Sequence, residues 1–275
     1  MHAISKNKEI DKDLGQPITA GRNADIYNWD DNQILKLYKN NSRWTSENID
    51  YERRVSEAVH AAGLPVPAVG ELVHINNRTG IIFEQVRGPA MTTLMVKKWW
   101  NISHYSRRMA ELHFEMHSNS MDADLHNQKD LLGNKIKQSK VLTDKLQQKM
   151  LDALGSLPDG DRLCHGDFHP MNIIMKDHGE TIIDWPNGSI GNPLADVART
   201  TYLTTVRVGN RQSRIPILTN AVRSIHNIYL KQYFTHNPGS EEEYKRWLPV
   251  VAAANIRRNM PDLEQWLSNL AETVL

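Results

Sequence analysis

The sequence has very little cysteine and no long apolar segment. Cys164 is the single cysteine among 275 residues, which excludes an internal disulfide and is typical of a reducing compartment. The apolar runs are far shorter than the roughly 20 residues that cross a bilayer. The N-terminal segment MHAISKNKEIDKDLGQ is charged and lacks the apolar core of a signal peptide. We therefore expect a cytoplasmic protein without a membrane anchor.

A strong excess of charge of either sign is also absent. The 33 lysines and arginines balance 32 aspartates and glutamates, so the formal net charge is +1. No bulk field favours nucleic acid or an anionic membrane as a partner. Hydrophobic residues make up 40% and charged residues 24%, an ordinary mix for a globular protein of one large or two modest domains.

The N-terminal third has the pattern of a small β-rich lobe. The predicted elements are strands over 16–19, 24–29 and 33–39, a helix over 44–62, and a β-hairpin of 68–75 and 80–86 joined by NNRT. Gly63 and the two prolines of GLPVP end the helix. The sequence RGPAM at 87–91 breaks the strand pattern, so we predict a hinge near 85–89.

The rest of the chain has mainly helical periodicity. Two apolar stripes recur at helical spacing, Tyr105, Met109, Leu112 and Met116 in one, and Leu218, Val222, Ile225 and Tyr229 in the other. The sequences NIIM and TIIDW predict a second hairpin between them. We predict an α+β protein with a β-rich lobe over 1–87 and a larger, mainly helical lobe over 88–275. Two lobes on a hinge form a cleft, where ligands commonly bind.

Three oxygen-bearing side chains lie near this second hairpin. Asp167 precedes it, Asn172 begins its first strand, and Asp184 ends its second strand. We expect the three to lie at one end of the ribbon. Asn and Asp oxygens suit Mg²⁺, which prefers oxygen ligands, and Asp167 could then orient a hydroxyl and accept its proton.

A lysine in the β-rich lobe could contact phosphate. Lys36 lies mid-strand, with Leu35 and Leu37 on the opposite face. Glu52 shares the buried face of the following helix, and a buried glutamate is costly unless it is paired. Lys36 and Glu52 are therefore a natural pair. The alternatives are that Lys36 is an exposed lysine of an edge strand, or that Glu47 or Glu57 is its partner.

These motifs resemble those of the aminoglycoside phosphotransferase family, small-molecule relatives of protein kinases and choline kinases. HGDFHPMN at 165–172 matches the family's catalytic loop H-G-D-x-x-x-x-N, and IIDW at 182–185 matches its metal-binding motif. Gly191, Pro193 and Asp196 match a later glycine–proline–aspartate pattern. The similarity extends over residues 16–205, and it implies a bilobal, protein-kinase-like fold.

The resemblance also implies a role for each matching residue. Asp167 would be the catalytic base, and Asn172 and Asp184 would bind Mg²⁺. Lys36 would contact the α- and β-phosphates of ATP, with Glu52 holding Lys36 in place, and the hinge backbone at Glu84 to Val86 would bind adenine. His165 and Asp196 would support the catalytic loop. One departure concerns the turn AGRNADIY, which has only Gly21 where kinases have a glycine-rich loop.

The implied reaction transfers the γ-phosphate of Mg-ATP to a hydroxyl group of a small molecule. From Val197 to Leu275 there are ten arginines and lysines against six acidic residues, which disfavours a polycationic aminoglycoside as the acceptor. A neutral or anionic sugar, nucleoside or amino alcohol fits equally well. A choline-type acceptor would require an aromatic cage, for which the candidates are Trp185, Tyr202, Tyr229, Tyr233 and Trp247.

Other classes of protein remain as alternatives. A protein kinase needs an activation segment, but Pro193 follows Asp184 by only nine positions, which is too few. A non-catalytic nucleotide-binding module is a second alternative, and a zinc site formed by Cys164, His165, Asp167 and His169 is a third. The chain is expected to be a monomer or a homodimer.

Overall fold

A computed structural model of the chain describes residues 8–9, 12–40, 44–121, 123–206 and 216–256. The chain divides into two compact units, each formed by two segments. The first contains Met1–Ala90 and Asn172–Asn187, and the second contains Met91–Met171 and Gly188–Leu275. Residues 172–187 thus belong with the N-terminal segment, whereas the predicted lobes were continuous, and the roles assigned to 1–87 and 88–275 stay predictions. Among the described residues, no helix combines the length and apolarity needed to cross a membrane.

A six-stranded sheet forms the larger part of the first unit. Its strands are β1 (Lys8–Glu9), β2 (Thr19–Ala20), β3 (Ala24–Asn28), β4 (Gln33–Tyr38), β5 (Val69–Ile75) and β6 (Arg78–Glu84). Their order in the sheet is β1-β5-β6-β4-β3-β2. The pairing of β1 with β5 is parallel, and the other pairings are antiparallel.

The position of β4 decides the environment of Lys36. This strand lies between β6 and β3, and Lys36 is opposite Ile81 on one side and Ile26 on the other. Its neighbours Leu35 and Leu37 point to the opposite face, where they are buried in an apolar cluster. Lys36 is therefore not a lysine of an edge strand.

A helix begins at a side-chain cap and packs on the other face of the sheet. Helix α1 (Ser46–Ala61) starts after Thr45, whose side chain accepts a hydrogen bond from the Asn48 amide. The predicted start at residue 44 is wrong by two positions, because the cap itself lies outside the helix. Glu52 is buried on its inner face with Val55 and Val59, whereas Glu47 and Glu57 are exposed.

Two hairpins of the first unit follow the sequence prediction closely. β5 and β6 are joined by Asn76 and Asn77, which have φ values of 49° and 60°. Asparagine tolerates this left-handed conformation, so the turn needs two residues and not the four of NNRT. The second hairpin contains β8 (Ile173–Met175) and β9 (Glu180–Ile182). The Ile182 amide donates a hydrogen bond to the Pro65 carbonyl, and the Met175 amide donates one to the Pro89 carbonyl. These two bonds join the second hairpin to the N-terminal segment of the unit.

Helices dominate the described part of the second unit. They are α2 (Met91–Lys97), α3 (Ile102–His117), α4 (Gln128–Lys137), α5 (Asp144–Ser156), α6 (Pro193–Thr201), α7 (Pro216–His236) and α8 (Glu241–Asn255). Short 3-10 helices cover Trp99–Asn101 and Pro170–Asn172, and a π-helical turn covers Tyr202–Val206. A small antiparallel sheet pairs β7 (Arg162–Cys164) with β10 (Ser189–Gly191).

The two predicted apolar stripes have different outcomes. All four residues of the stripe on α3 are buried, so that prediction is confirmed. On α7, Tyr229 is buried and Val222 and Ile225 are half-buried, while the side chain of Leu218 lies outside the described part of the chain. The β7–β10 pair was not predicted, because strands of three residues are too short to show a periodicity.

Gly88 offers a test of backbone constraint in the predicted hinge. Its φ is +147°, and a Cβ atom there would lie 2.1 Å from the carbonyl oxygen of Met175. We expect Gly88→Ala to lower the free energy of unfolding by about 1–3 kcal/mol, measured by urea denaturation. The matched control is Gly155→Ala in α5, where a Cβ would meet no described atom within 4 Å. This variant should be more stable by about 0.5–1 kcal/mol, and equal effects at both sites would contradict the constraint.

Candidate active site

Three charged side chains meet in the first unit. The Lys36 Nζ atom lies 2.6 Å from Glu52 Oε1 and 2.6 Å from Asp184 Oδ1. Tyr38, two residues further along β4, donates its hydroxyl hydrogen to the second oxygen of Glu52. The period of two in a strand puts Lys36 and Tyr38 on the face covered by α1, from which Glu52 points inward. The predicted pairing of Lys36 with Glu52 is therefore the arrangement found.

Burial makes this arrangement electrostatically demanding. The side chain of Lys36 is 16% exposed, and that of Glu52 is 1% exposed. Burial by itself would lower the pKa of Lys36, but the carboxylates of Asp184 and Glu52 outweigh it and raise that pKa well above its usual value. Burial raises the pKa of Glu52, and Lys36 offsets part of this effect. Removing Lys36 or Glu52 from this buried pair would cost about 3–5 kcal/mol, whereas the Asp184 side chain is 39% exposed and its contribution is weakened by solvent.

Asn172 and Asp184 lie at the same end of the β8–β9 hairpin. Ile173 is opposite Ile182, and the Ile183 amide donates to the Asn172 carbonyl oxygen at 2.9 Å. Asp184 is thus one residue beyond the position opposite Asn172. The backbone of Asp184 is in the left-handed region with a φ of 69°, an uncommon conformation that is often found at functional sites.

The predicted hinge begins where β6 ends. The Glu84 amide donates to the Ala68 carbonyl at 2.9 Å, and the Gln85 amide donates to the Asn32 carbonyl at 2.7 Å. The Glu84 side chain in turn accepts a hydrogen bond from the Ala68 amide. These bonds engage the amides of Glu84 and Gln85, and the binding of adenine by the backbone from Glu84 to Val86 stays a prediction.

The turn that contains Gly21 is closed by its own backbone. The Gly21 amide donates to the Ala24 carbonyl at 3.0 Å, and a Cβ at residue 21 would lie 2.4 Å from that oxygen. Lys39 donates to the Gly21 carbonyl at 2.7 Å. A single glycine is therefore enough for a tight turn, although phosphate binding by this turn stays a prediction.

In the second unit, Asp196 fixes the backbone of the HGD sequence. Its carboxylate is fully buried and accepts hydrogen bonds from the His165 amide at 2.6 Å and the Gly166 amide at 2.9 Å. Gly166 has a φ of +73°, which a residue without Cβ adopts without strain. The His165 ring turns back to accept the Asp167 amide hydrogen at 3.2 Å. His165 and Asp196 thus have the contacts expected of residues that support the loop.

Two histidines complete the surroundings of Asp196. The Nε2 atoms of His113 and His117 lie 3.3 and 3.4 Å from Asp196 Oδ2. Their Nδ1 atoms lie 2.6 Å from the Tyr229 hydroxyl and 2.8 Å from the Tyr233 hydroxyl. A neutral imidazole donates from one nitrogen and accepts at the other, so each ring links a tyrosine of α7 to Asp196. Burial would raise the pKa of Asp196, but hydrogen bonds from both histidines outweigh it and hold that pKa well below its usual range.

The same three groups could hold a metal ion by distance alone. Ligand atoms of His113, His117 and Asp196 lie within 4.8 Å of one another. However, hydrogen bonds already satisfy both rings, and Asp196 Oδ2 is 2.6 Å from a backbone amide. The alternative zinc site at Cys164, His165, Asp167 and His169 does not form such a group in the described ranges.

The side chain of Asp167 is flanked by two basic groups. Arg199 Nη2 lies 3.5 Å from its Oδ1 atom, and His169 Nε2 lies 3.7 Å from its Oδ2 atom. Arg199 also donates from Nε to the Gly166 carbonyl at 3.1 Å. Sequence reasoning missed Arg199, because an arginine on a helix carries no local signal of the group that it faces in the folded chain.

Comparison with known proteins assigns the chain to a family. Residues 15–215 match the model of the phosphotransferase enzyme family, APH. The chain belongs to this family. The resemblance seen in the motifs is thereby confirmed, and the chain is a member of a family of phosphotransferases. No curated protein matches the sequence.

Solved structures of other phosphotransferases share the fold. An aminoglycoside phosphotransferase, APH(4)-Ia, in a ternary complex with ADP and hygromycin B, is 13% identical, with 94% of this chain and 92% of that chain covered and a TM-score of 0.59. A choline/ethanolamine kinase family protein from Mesorhizobium loti is 12% identical, with coverage of 93% and 86% and a TM-score of 0.59. The aminoglycoside-3'-phosphotransferase of type VIII is 13% identical, with coverage of 87% and 91% and a TM-score of 0.61. The predicted α+β, kinase-like fold is confirmed.

The aromatic residues considered for a choline cage are core residues of this phosphotransferase. Trp185, Tyr202, Tyr229, Tyr233 and Trp247 are all buried. Tyr229 and Tyr233 bind the two histidines described above, and the Tyr202 hydroxyl donates to the Asn255 carbonyl. A cage must present ring faces to its ligand, so these five residues do not provide one.

The buried histidine His113 makes stability depend on pH. Burial and the neighbouring His117 lower the pKa of His113 from 6.5 to about 3. Between these values the unfolded chain binds a proton that the folded chain does not, so stability falls as the pH falls. We expect His113→Gln to reduce the slope of unfolding free energy against pH, between pH 4 and 6, by about 1.4 kcal/mol per pH unit.

Urea denaturation at a series of pH values measures this slope. The matched control is His178→Gln, at an exposed histidine in the β8–β9 turn, which should keep the wild-type slope. An unchanged slope in His113→Gln would mean that the buried ring is already protonated in the folded protein.

Proposed function

We propose that this chain is a small-molecule kinase that transfers the γ-phosphate of Mg-ATP to a hydroxyl group. The observation that carries the proposal is the position of Lys36 between the carboxylates of Glu52 and Asp184, 2.6 Å from each. Kinase-type phosphoryl transfer requires a lysine for the phosphates, a carboxylate that orients it and an aspartate for the metal. Membership of the phosphotransferase family supports the same chemistry.

The first unit would bind the nucleotide. Lys36 would contact the α- and β-phosphates, and Glu52 would keep its ammonium group in place. The amides of Glu84 and Gln85 are engaged within the unit, so we assign the adenine edge to the Glu84 carbonyl and the Val86 amide. The APH(4)-Ia structure contains ADP and hygromycin B, which supports a nucleotide and a small-molecule acceptor for this chain as well.

Asn172 and Asp184 have the donor chemistry that Mg²⁺ requires. Both offer oxygen atoms, and both lie at one end of the same hairpin. Mg²⁺ favours a few protein oxygens together with water and phosphate oxygens, which fits two protein ligands. When bound, the ion would neutralise charge on the phosphate oxygens. The carboxylate of Asp184 would then face the ion as well as Lys36.

Asp167 would orient the acceptor hydroxyl and accept its proton. It precedes Asn172 by five residues, the spacing of the kinase catalytic loop. Its neighbours Arg199 and His169 leave it partly exposed, with 21% of its side chain accessible. Little covalent chemistry is required of the protein in this reaction, so most of the rate enhancement would come from positioning and charge neutralisation.

The acceptor is proposed to be a neutral or anionic metabolite and not a polycation. The segment from Val197 to Leu275 has ten basic and six acidic residues, of which five basic and three acidic ones lie in the part whose side chains are described. One of these basic residues, Arg199, lies beside Asp167. A choline-type acceptor is disfavoured because the candidate aromatic residues are buried. The residues that a non-catalytic module usually loses are all present, so an active enzyme is favoured.

Replacement of the proposed base tests the activity. Release of ADP should be measured with a panel of aminoglycosides, choline, sugars and nucleosides. We expect Asp167→Ala to lower kcat by about 10²–10⁴-fold, because the acceptor hydroxyl loses its proton acceptor, while the dissociation constant for ATP changes little.

The matched control for this test is Asp161→Ala, since the Asp161 side chain is 80% exposed and precedes the same loop. It should retain wild-type turnover. Equal turnover in Asp167→Ala and wild type would remove Asp167 from its role. Failure of wild type to act on any acceptor of the panel would count against the proposed function itself.

The metal assignment has a separate test. We expect Asp184→Asn to raise the Mg²⁺ concentration for half-maximal turnover by about tenfold or more, because a charged ligand is replaced by a neutral one. Asp177→Asn is the control, since Asp177 is exposed in the turn of the same hairpin. The same Mg²⁺ dependence in both variants would show that Asp184 does not bind the ion.

A further inference from the structure

Helix α6 contacts the HGDF sequence through one face. Arg199 and Thr200 follow Asp196 by three and four residues, so each of them neighbours Asp196 on the helix surface. As described above, Asp196 binds the amides of His165 and Gly166. The Thr200 hydroxyl donates to the carbonyl of Phe168 at 2.9 Å. A single helix therefore fixes the backbone on both sides of residue 167.

Arg199 differs from the other two residues because it also reaches the Asp167 side chain. Its Nε atom donates to the Gly166 carbonyl at 3.1 Å, while Nη2 lies 3.5 Å from Asp167 Oδ1. A guanidinium group is planar and its donors diverge at fixed angles, so the bond to Gly166 also sets the direction of Nη2. The guanidinium carbon lies 5.5 Å from the centroid of the Tyr202 ring, within the range of a cation–π interaction.

We propose that Arg199 is a positioning residue for Asp167. It acts on the side chain of the base and on the adjacent backbone at once, and so sets the direction in which the carboxylate oxygens point. The inference rests on the proposed function, in which Asp167 accepts the proton of the acceptor hydroxyl. Displacement of a reacting group by about 1 Å can lower the rate about 100-fold, so loss of this contact should affect kcat more than binding.

A purely structural role would have a different signature. If Arg199 only stabilised α6 against the loop, its replacement would lower stability and impair all kinetic constants together. Lysine keeps the positive charge but lacks the two diverging donors, so it can replace the attraction to Asp167 but not the fixed geometry. Comparison of lysine and methionine at this position separates the effect of the positive charge from the effect of the fixed donor geometry.

The experiment compares Arg199→Met, Arg199→Lys and the control Arg108→Met. Arg108 is a partly buried arginine of α3 that pairs with Glu111 and Glu115. We expect Arg199→Met to lower kcat about 10–100-fold, with the KM for ATP within about twofold of wild type. Arg199→Lys should have an intermediate kcat. Arg108→Met should keep the wild-type kcat, with a Tm similar to that of Arg199→Met.

Hydrogen–deuterium exchange provides a readout that does not depend on turnover. Peptides that cover residues 163–171 should exchange faster in Arg199→Met than in wild type, and at the wild-type rate in Arg108→Met. The reason is that the loop loses the bond at Gly166 and the contact at Asp167 only in the first variant.

The outcomes separate this inference from the proposed function. A wild-type kcat in Arg199→Met, or a fall in kcat explained by a much lower Tm, would overturn the inference and leave the proposed function standing. Wild-type protein without turnover on any acceptor would overturn the proposed function. In that case hydrogen–deuterium exchange is the remaining test of the role of Arg199. Equal exchange of residues 163–171 in Arg199→Met and Arg108→Met would overturn the positioning role as well.

Discussion

The ammonium group of Lys36 is the constraint on which the first unit depends. An unpaired charge in this position would be very unfavourable, so the chain must bring carboxylates to it. Glu52 is 16 residues away in sequence and Asp184 is 148 residues away, yet both lie within 2.6 Å of the lysine. This requirement constrains the register of β4, the rotation of α1 about its axis and the position of the end of the β8–β9 hairpin. The proposed nucleotide site uses the same three groups.

The second unit also contains a buried charge that requires partners, and there the charge is negative. The carboxylate of Asp196 is fully buried, and its donors come from the HGD backbone and from two histidines of α3. Tyrosines of α7 in turn bind those histidines, so the hydrogen bonds connect four segments that are far apart in the sequence, namely α3, the HGD loop, α6 and α7. Because Asp196 and Arg199 belong to one helix, the group that holds the loop backbone and the group that contacts Asp167 are fixed together.

Sequence reasoning succeeded where a local pattern carried the information. Helical periodicity singled out Glu52 from Glu47 and Glu57, and the structure buries only the first of them. The motif spacing singled out Asp167, Asn172, Asp184 and Asp196, and their assignment to one reaction stays a prediction. The pattern did not identify Arg199 or Thr200, because arginine and threonine are common on helices and their meaning depends on what faces them. It also missed the β7–β10 pair, which forms between segments about 25 residues apart.

The sequence by itself indicated the family and the class of fold, since the motifs at 165–172 and 182–185 resemble those of the phosphotransferase family and the hydrophobic periods separate a β-rich part from a helical part. Beyond the predicted pair of Lys36 and Glu52, only the tertiary structure decided which side chains meet. It placed β4 inside the sheet, paired Lys36 with Asp184 as well as Glu52, buried the aromatic residues considered for a cage, and set Arg199 against Asp167. The physical reason is that contacts between distant segments follow from packing and from the need to neutralise buried charge, and neither leaves a periodic signal in the sequence.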